Sequence, residues 1–183
     1  MRNGPWNIAL IAAVISLAGT GIVLAADVPA RPAAASPLPS KVTADLRSIA
    51  DQCTEVGGTP RTGDAVKRAD LNGDGKEDFV IDTGSVNCDG AASIYGDREK
   101  WVGVYAGDGK GGATSAFVDS VYGVSIEGAG PAARLWLTVS AGQCGKKPAK
   151  DFASENFCER SILWNPATKK FDYAPVTTVR MIE

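Results

Sequence analysis

The sequence predicts a mainly β (α+β) fold, an antiparallel β domain of short strands with one N-terminal helix. Three observations carry it. After about Ala65 short apolar runs recur, several of them alternating, and clusters of Gly, Asn, Asp and Pro separate them. That is the signature of antiparallel strands joined by turns. Only Ser40 to Val56 repeats apolar residues at helical spacing. A nine-residue acidic loop, Asp70-Leu71-Asn72-Gly73-Asp74-Gly75-Lys76-Glu77-Asp78, stands between two strand signals rather than two helices.

In the helix, Val42, Leu46, Ile49, Ala50 and Cys53 form one apolar stripe, which reads as a core-packing face. Ser40 is placed to cap its start and Gly57-Gly58 to end it. Ala65 to Ala69 leads into the acidic loop and Asp78 to Asp82 leads out, ending at Thr83-Gly84. A polar loop follows from Ser85 to about Lys100. Trp101 to Ala106 reads as a strand, followed by the turn-rich residues 107–112. Ala113 to Val118 and Val121 to Glu127 are the next strands, with residues 128–131 as a turn. Arg134 to Ser140 places Leu135, Leu137 and Val139 on one face and Trp136, Thr138 and Ser140 on the other. Ser161 to Trp164 and Lys170 to Tyr173 flank Asn165-Pro166-Ala167-Thr168, a hairpin signal.

Residues 1–26 read as a signal peptide or an N-terminal membrane anchor. Arg2 precedes an uncharged run from Ile8 to Ala26, and Val23-Leu24-Ala25 and Leu24-Ala25-Ala26 place small residues before a cleavage point. The run approaches the length that spans a bilayer, so retention as an anchor competes with cleavage. Residues 27–39 (DVPARPAAASPLP) form an extended Pro/Ala-rich linker that cannot build a core. Residues 40–183 are then the folded domain. Either fate of the N-terminus places this domain outside the cytoplasm, periplasmic or secreted, or held to the membrane by the anchor.

A formal net charge of −2 gives no basic field for nucleic acid. The chain has no histidine, which removes the Ser-His-Asp and Cys-His arrangements and most zinc sites. Cys53, Cys88, Cys144 and Cys158 lie far apart with no C-x-x-C pair, which argues for disulfides in an exported chain. Of the three connectivities, we expect Cys144–Cys158 to staple the polar loop between them and Cys53–Cys88 to tie the helix to the loop after Asp82.

The acidic loop carries the clearest chemistry. Ca2+ takes six to eight oxygens, and a short loop supplies them when alternate side chains point inward around a sharp backbone turn. Asp70, Asn72 and Asp74 give the alternation, Gly75 the turn, Lys76 its backbone carbonyl with its ammonium in water, and Asp78 the far side. Without a cation, Asp70, Asp74 and Asp78 should raise one another's pKa. An EF-hand would need Glu at position twelve, where Ile81 stands. A metal-free Asn-Gly/Asp-Gly turn is the plainer reading of the same residues.

The run DLNGDGKEDFVID, followed after a loop by WVGVYAGDGKGG, resembles one FG-GAP or VCBS-type repeat over about residues 69–112. The resemblance implies calcium held by Asp70, Asn72, Asp74, Asp78 and the Lys76 carbonyl, in a loop joining two strands. Such repeats stack as propeller blades, but the acidic loop occurs once here and the chain is too short for a complete propeller. Adhesive roles tied to complete propellers therefore do not carry over.

The function expected is an exported calcium-binding domain with structural Ca2+, acting as a binding or structural module of the cell envelope toward a protein or glycan partner. No nucleic-acid partner is expected, and membrane contact only through a retained anchor. Two alternatives stand beside this non-enzymatic reading. One is a carboxylate-dependent hydrolase drawing on Glu55, Asp64, Asp89, Asp97 or Glu127, none of which sits in a spaced motif. The other is an exported inhibitor that docks through the loop from Cys144 to Cys158, with Lys146, Lys147 and Lys150 at the contact.

Overall fold

The structure, a computed structural model, describes residues 36–182. The expected signal or anchor, and the linker up to Ala35, lie outside the described residues. Within them, α1 (Ser40–Glu55) is followed by eleven strands. Among the described residues no helix is long and apolar enough to cross a membrane.

The helix packs by the expected stripe: Val42, Ile49 and Cys53 are buried, with Leu46 packed against the same cluster. Its start differs from expectation. Pro39, not Ser40, is the N-cap, and its extended backbone turns its carbonyl to accept from the Thr43 amide at 2.9 Å. At the other end the Gly57 and Gly58 amides donate to the Thr54 and Cys53 carbonyls, which stops the helix at the predicted glycines.

Two antiparallel sheets make up the body. The first has the order β2 (Val66–Ala69), β3 (Asp78–Asp82), β5 (Lys100–Gly107), β6 (Ala113–Val121). The second runs β7 (Gly123–Glu127), β8 (Arg134–Ser140), β9 (Phe157–Asn165), β10 (Lys170–Tyr173), with β11 (Arg180–Met181) also on β9. The first sheet is a four-stranded meander and the second a meander of four strands with β11 as a fifth on β9, and neither closes on itself among the described residues. A third, two-stranded ladder joins β1 (Thr59–Arg61) to β4 (Asn87–Asp89).

The two meanders share one core. Val80, Val102, Val104 and Val121 of the first sheet cluster with Leu135, Leu137, Val139 and Ile162 of the second. The other face of the first sheet presents Phe79, Ile81 and Tyr105 to α1. Strand β3 is therefore covered on both faces and buried along its whole length, whereas β8 alternates buried and partly exposed positions. This explains the uninterrupted Phe79-Val80-Ile81 run beside the strict alternation of Leu135 to Val139. At the far end of β3, Asp82 pairs with Lys67 at 3.0 Å and accepts from Ser85 Oγ at 3.0 Å.

Both expected disulfides are present, with Cα separations of 5.7 Å for Cys53–Cys88 and 6.0 Å for Cys144–Cys158. The first ties the last turn of α1 to β4, and the second closes the β8–β9 loop. Such crosslinks persist in oxidising compartments.

Candidate functional site

The acidic loop connects β2 to β3, neighbours in one antiparallel sheet, as the strand signals around it predict. Gly73 and Gly75 take left-handed backbone angles, φ +76° and +79°, which reverse the chain twice within the loop. These reversals turn successive amides inward. Asp70 Oδ1 accepts from the Gly73 amide at 2.8 Å and the Asp74 amide at 3.1 Å, while its Oδ2 accepts from Gly75 at 3.0 Å. Asn72 Oδ1 also accepts from the Asp74 amide, at 2.9 Å. Asp70 and Asn72 thus turn their side-chain oxygens onto one short stretch of backbone, while the Asp74 carboxylate turns to Lys76, accepting from its amide and its ammonium at 3.0 Å each.

Asp78 stands apart, fully buried at the start of β3. Its Oδ2 accepts from the Leu71 and Asn72 amides at 2.9 and 3.1 Å, and its Oδ1 from the Gly107 amide at 3.0 Å. One carboxylate therefore fastens the loop to β3 and to the end of β5. Leu71, next to Asp70, turns into the inter-sheet core as an anchor.

At Asp78 and Asp74 the repulsion expected between carboxylates is weaker than the effect of their surroundings. Burial pushes the Asp78 carboxyl up, backbone hydrogen bonds offset part of that, and the charge of Asp74 is the smallest contribution. For Asp74, desolvation is the largest single influence and raises the value, but contacts with Lys76 and Asn72 together hold it below the usual carboxylate range. The Lys76 ammonium does not simply point into water, because it pairs with Asp74 Oδ2 at 3.0 Å.

The donor set suits a hard cation: three carboxylates and an amide oxygen on one nine-residue loop. A carboxylate that accepts N–H bonds still keeps lone pairs for a metal. Among the described residues, however, no three acidic, histidine or cysteine side chains converge as a ready metal cluster. In this arrangement backbone amides close the loop.

The other candidates are dispersed. Asp89 is paired with Arg61, and Glu127 accepts from Arg180 at 2.8 Å. Glu55, Asp64 and Asp97 are exposed. Lys146, Lys147 and Lys150 are exposed on the stapled β8–β9 loop, which Glu155 braces by accepting from the Ala141 and Ala149 amides.

Sequence reasoning missed a cavity of about 600 Å3 between α1 and the outer face of the first sheet. Its floor includes Trp101 and Tyr105 of β5, and Asp45 of α1 accepts from the Tyr105 hydroxyl at 2.7 Å. The one local signal was the alternation Trp101-Val102-Gly103-Val104-Tyr105, which sends both rings and an intervening glycine to one face. Comparison with protein-family models, with curated proteins and with solved structures finds no match to this chain.

Proposed function

We propose that the chain is an exported binding module of the cell envelope whose acidic loop takes up Ca2+ as a structural staple, in the manner of a single FG-GAP-type repeat. One observation carries this reading: Asp70 and Asn72 turn their side-chain oxygens onto the backbone of a doubly reversed loop between adjacent antiparallel strands, with Asp74 on the same loop and Asp78 anchored beneath. The ligands would be these four side chains and the Lys76 carbonyl. A bound ion supplies positive charge that offsets the clustered carboxylates and stabilises the folded state by mass action. For extracellular modules of this sort, affinities of about 10⁻⁴–10⁻³ M are typical.

The two disulfides support export, since they need an oxidising compartment to form and persist. Partner recognition, rather than turnover, is the activity to which this reading commits. The test is a thermal melt with calcium and with EDTA, on wild type and on Asp74→Ala. Calcium should raise the wild-type midpoint and leave the variant almost unmoved. A wild-type melt that ignores chelation overturns the calcium assignment.

A further inference from the structure

The cavity between α1 and the first sheet has a volume within the range of about 300–1,000 Å3 typical of small-ligand sites. Its floor is built by alternation along β5, where Trp101, Gly103 and Tyr105 share one face. A Cβ at Gly103 would collide with the Trp101 ring and stand 3.0 Å from the Tyr105 hydroxyl. The glycine therefore lets the indole lie flat across the strand. Val118, opposite Gly103 on β6, extends this floor and is 56% exposed, unusual for a valine in the middle of a strand.

The rim is polar but not strongly charged. Lys41 is neutralised by Asp45 at 2.7 Å, and Asp45 spends its other oxygen on Tyr105. Glu99 then leaves the cavity with a slight negative bias, which disfavours anions. Ser48, Gln52 and Ser120 line the cavity, are exposed and make no side-chain hydrogen bond among the described residues, which leaves their donors and acceptors available to a ligand.

A flat aromatic and aliphatic floor under neutral hydrogen-bonding groups matches a ligand with one apolar face and polar edges. Pyranose rings have that form. A quaternary ammonium is held best by an aromatic cage, several ring faces around one point. Here Tyr105 is only 1% exposed and the Tyr95 hydroxyl is tied to the Ile49 carbonyl at 2.8 Å. An extended peptide would add to a free strand edge; β6 is the edge strand of this sheet, but what β5 and β6 bring to the groove is their paired face, with Trp101, Val118 and Ser120 on it, and not that edge.

We propose that this groove binds a short neutral oligosaccharide, with one sugar ring stacked on Trp101 and its hydroxyls bonded to Ser48, Gln52 and Ser120. This deepens the binding-module reading and rests on it. The test is a nuclear magnetic resonance titration of the isotope-labelled full chain, in calcium, with chitotriose, cellotriose, choline and a proline-rich peptide. One or both trisaccharides should give saturable shifts at the Trp101 indole N–H and the Val118 amide. Trp101→Ala should weaken binding about tenfold or more. Val118→Arg, at an exposed position, should abolish it with the melt unchanged, which covers the case in which Trp101→Ala fails to fold. The proposal is overturned if neither trisaccharide shifts these signals at millimolar concentration, or if only choline or the peptide does. Absent saccharide binding beside an intact calcium-dependent melt overturns the groove alone. Saccharide shifts at Trp101 beside a melt blind to EDTA support the groove and overturn only the calcium assignment.

Discussion

At the scale of single residues, Asp78 and Asp74 separate two roles that the acidic loop combines. Asp78 is buried and satisfies the amides of Leu71, Asn72 and Gly107. Removing it strands those donors, at a cost of about 1–3 kcal/mol for each one left without a partner. Asp78→Ala should therefore lose about 3 kcal/mol or more in urea unfolding, in EDTA as well as in calcium. Asp74→Ala should lose less than about 1 kcal/mol in EDTA, because its ion pair with Lys76 is exposed. Equal losses in EDTA would refute the structural role of Asp78. The Asp45–Tyr105 pair makes a second residue-scale prediction. Partial burial pushes Asp45 up, but hydrogen bonds from Lys41 and Tyr105 and the charge of Lys41 together hold it below the usual carboxylate range. Its contribution is present above the ordinary carboxylate pKa and is lost as pH falls through the lowered value. Burial first, and then Asp45, raise the Tyr105 phenol. Its contribution is present below the unfolded phenol pKa of about 10 and is lost as pH rises from there through the folded value. The stability difference between wild type and Tyr105→Phe should thus be about 1 kcal/mol near neutrality and shrink toward both extremes. Chemical denaturation across pH measures it, and a difference that is flat with pH refutes the coupling.

At the scale of elements, the two disulfides close loops of different length. Their sequence separations are 35 for Cys53–Cys88 and 14 for Cys144–Cys158. In the chain-entropy model these correspond to about 4 and about 3 kcal/mol. Replacing each pair by serines should lower the urea midpoint in that order, with the Cys53/Cys88 variant weaker. The reverse order would mean that native-state contacts in the β8–β9 loop, not loop closure, dominate. Both pairings were legible because Cys144 and Cys158 bracket one polar segment, which leaves a single partner for each remaining cysteine. Strand β8 was legible to the residue, since one face is buried and the other is not. Strand β9 was found only from Ser161, because Glu159 and Arg160 interrupt the apolar run ahead of it. Its true start at Phe157 is set by pairing with β8 and β11, a non-local cause. The β1–β4 ladder was missed for the same reason, as three polar-flanked residues on each side are joined by the Arg61–Asp89 pair while Cys53–Cys88 ties β4 to α1. The acidic loop stood out because its three carboxylates and its amide are contiguous in the sequence. The groove did not, because α1, β5 and β6 each supply only part of it.

At the scale of the whole molecule, the layers are α1, the first meander and the second meander, joined through two clusters of buried side chains on opposite faces of the first sheet. No layer can keep its inner face dry alone. The inter-sheet cluster takes Val104 from one meander and Leu137 from the other, both fully buried, while Ile81, also fully buried, faces α1. Such sharing should make residues 36–182 one cooperative unit, since exposing one sheet's inner face uncovers the other's. Leu137→Ala should cost about 2–5 kcal/mol and Ile81→Ala a similar amount, and Val104→Ala about 1.5–3 kcal/mol. All three should shift the same transition. Equilibrium unfolding followed by far-ultraviolet circular dichroism and by tryptophan fluorescence distinguishes the possibilities, because Trp101 lies in the first sheet and Trp136 and Trp164 in the second, so that separate unfolding of the sheets would split the fluorescence transition into phases. Coincident curves in wild type and in each variant are expected. If Leu137→Ala moved an early phase while Ile81→Ala moved only a later one, the second meander would be an independent unit. The shared core would then be a contact between two folded parts and not the element that makes them one.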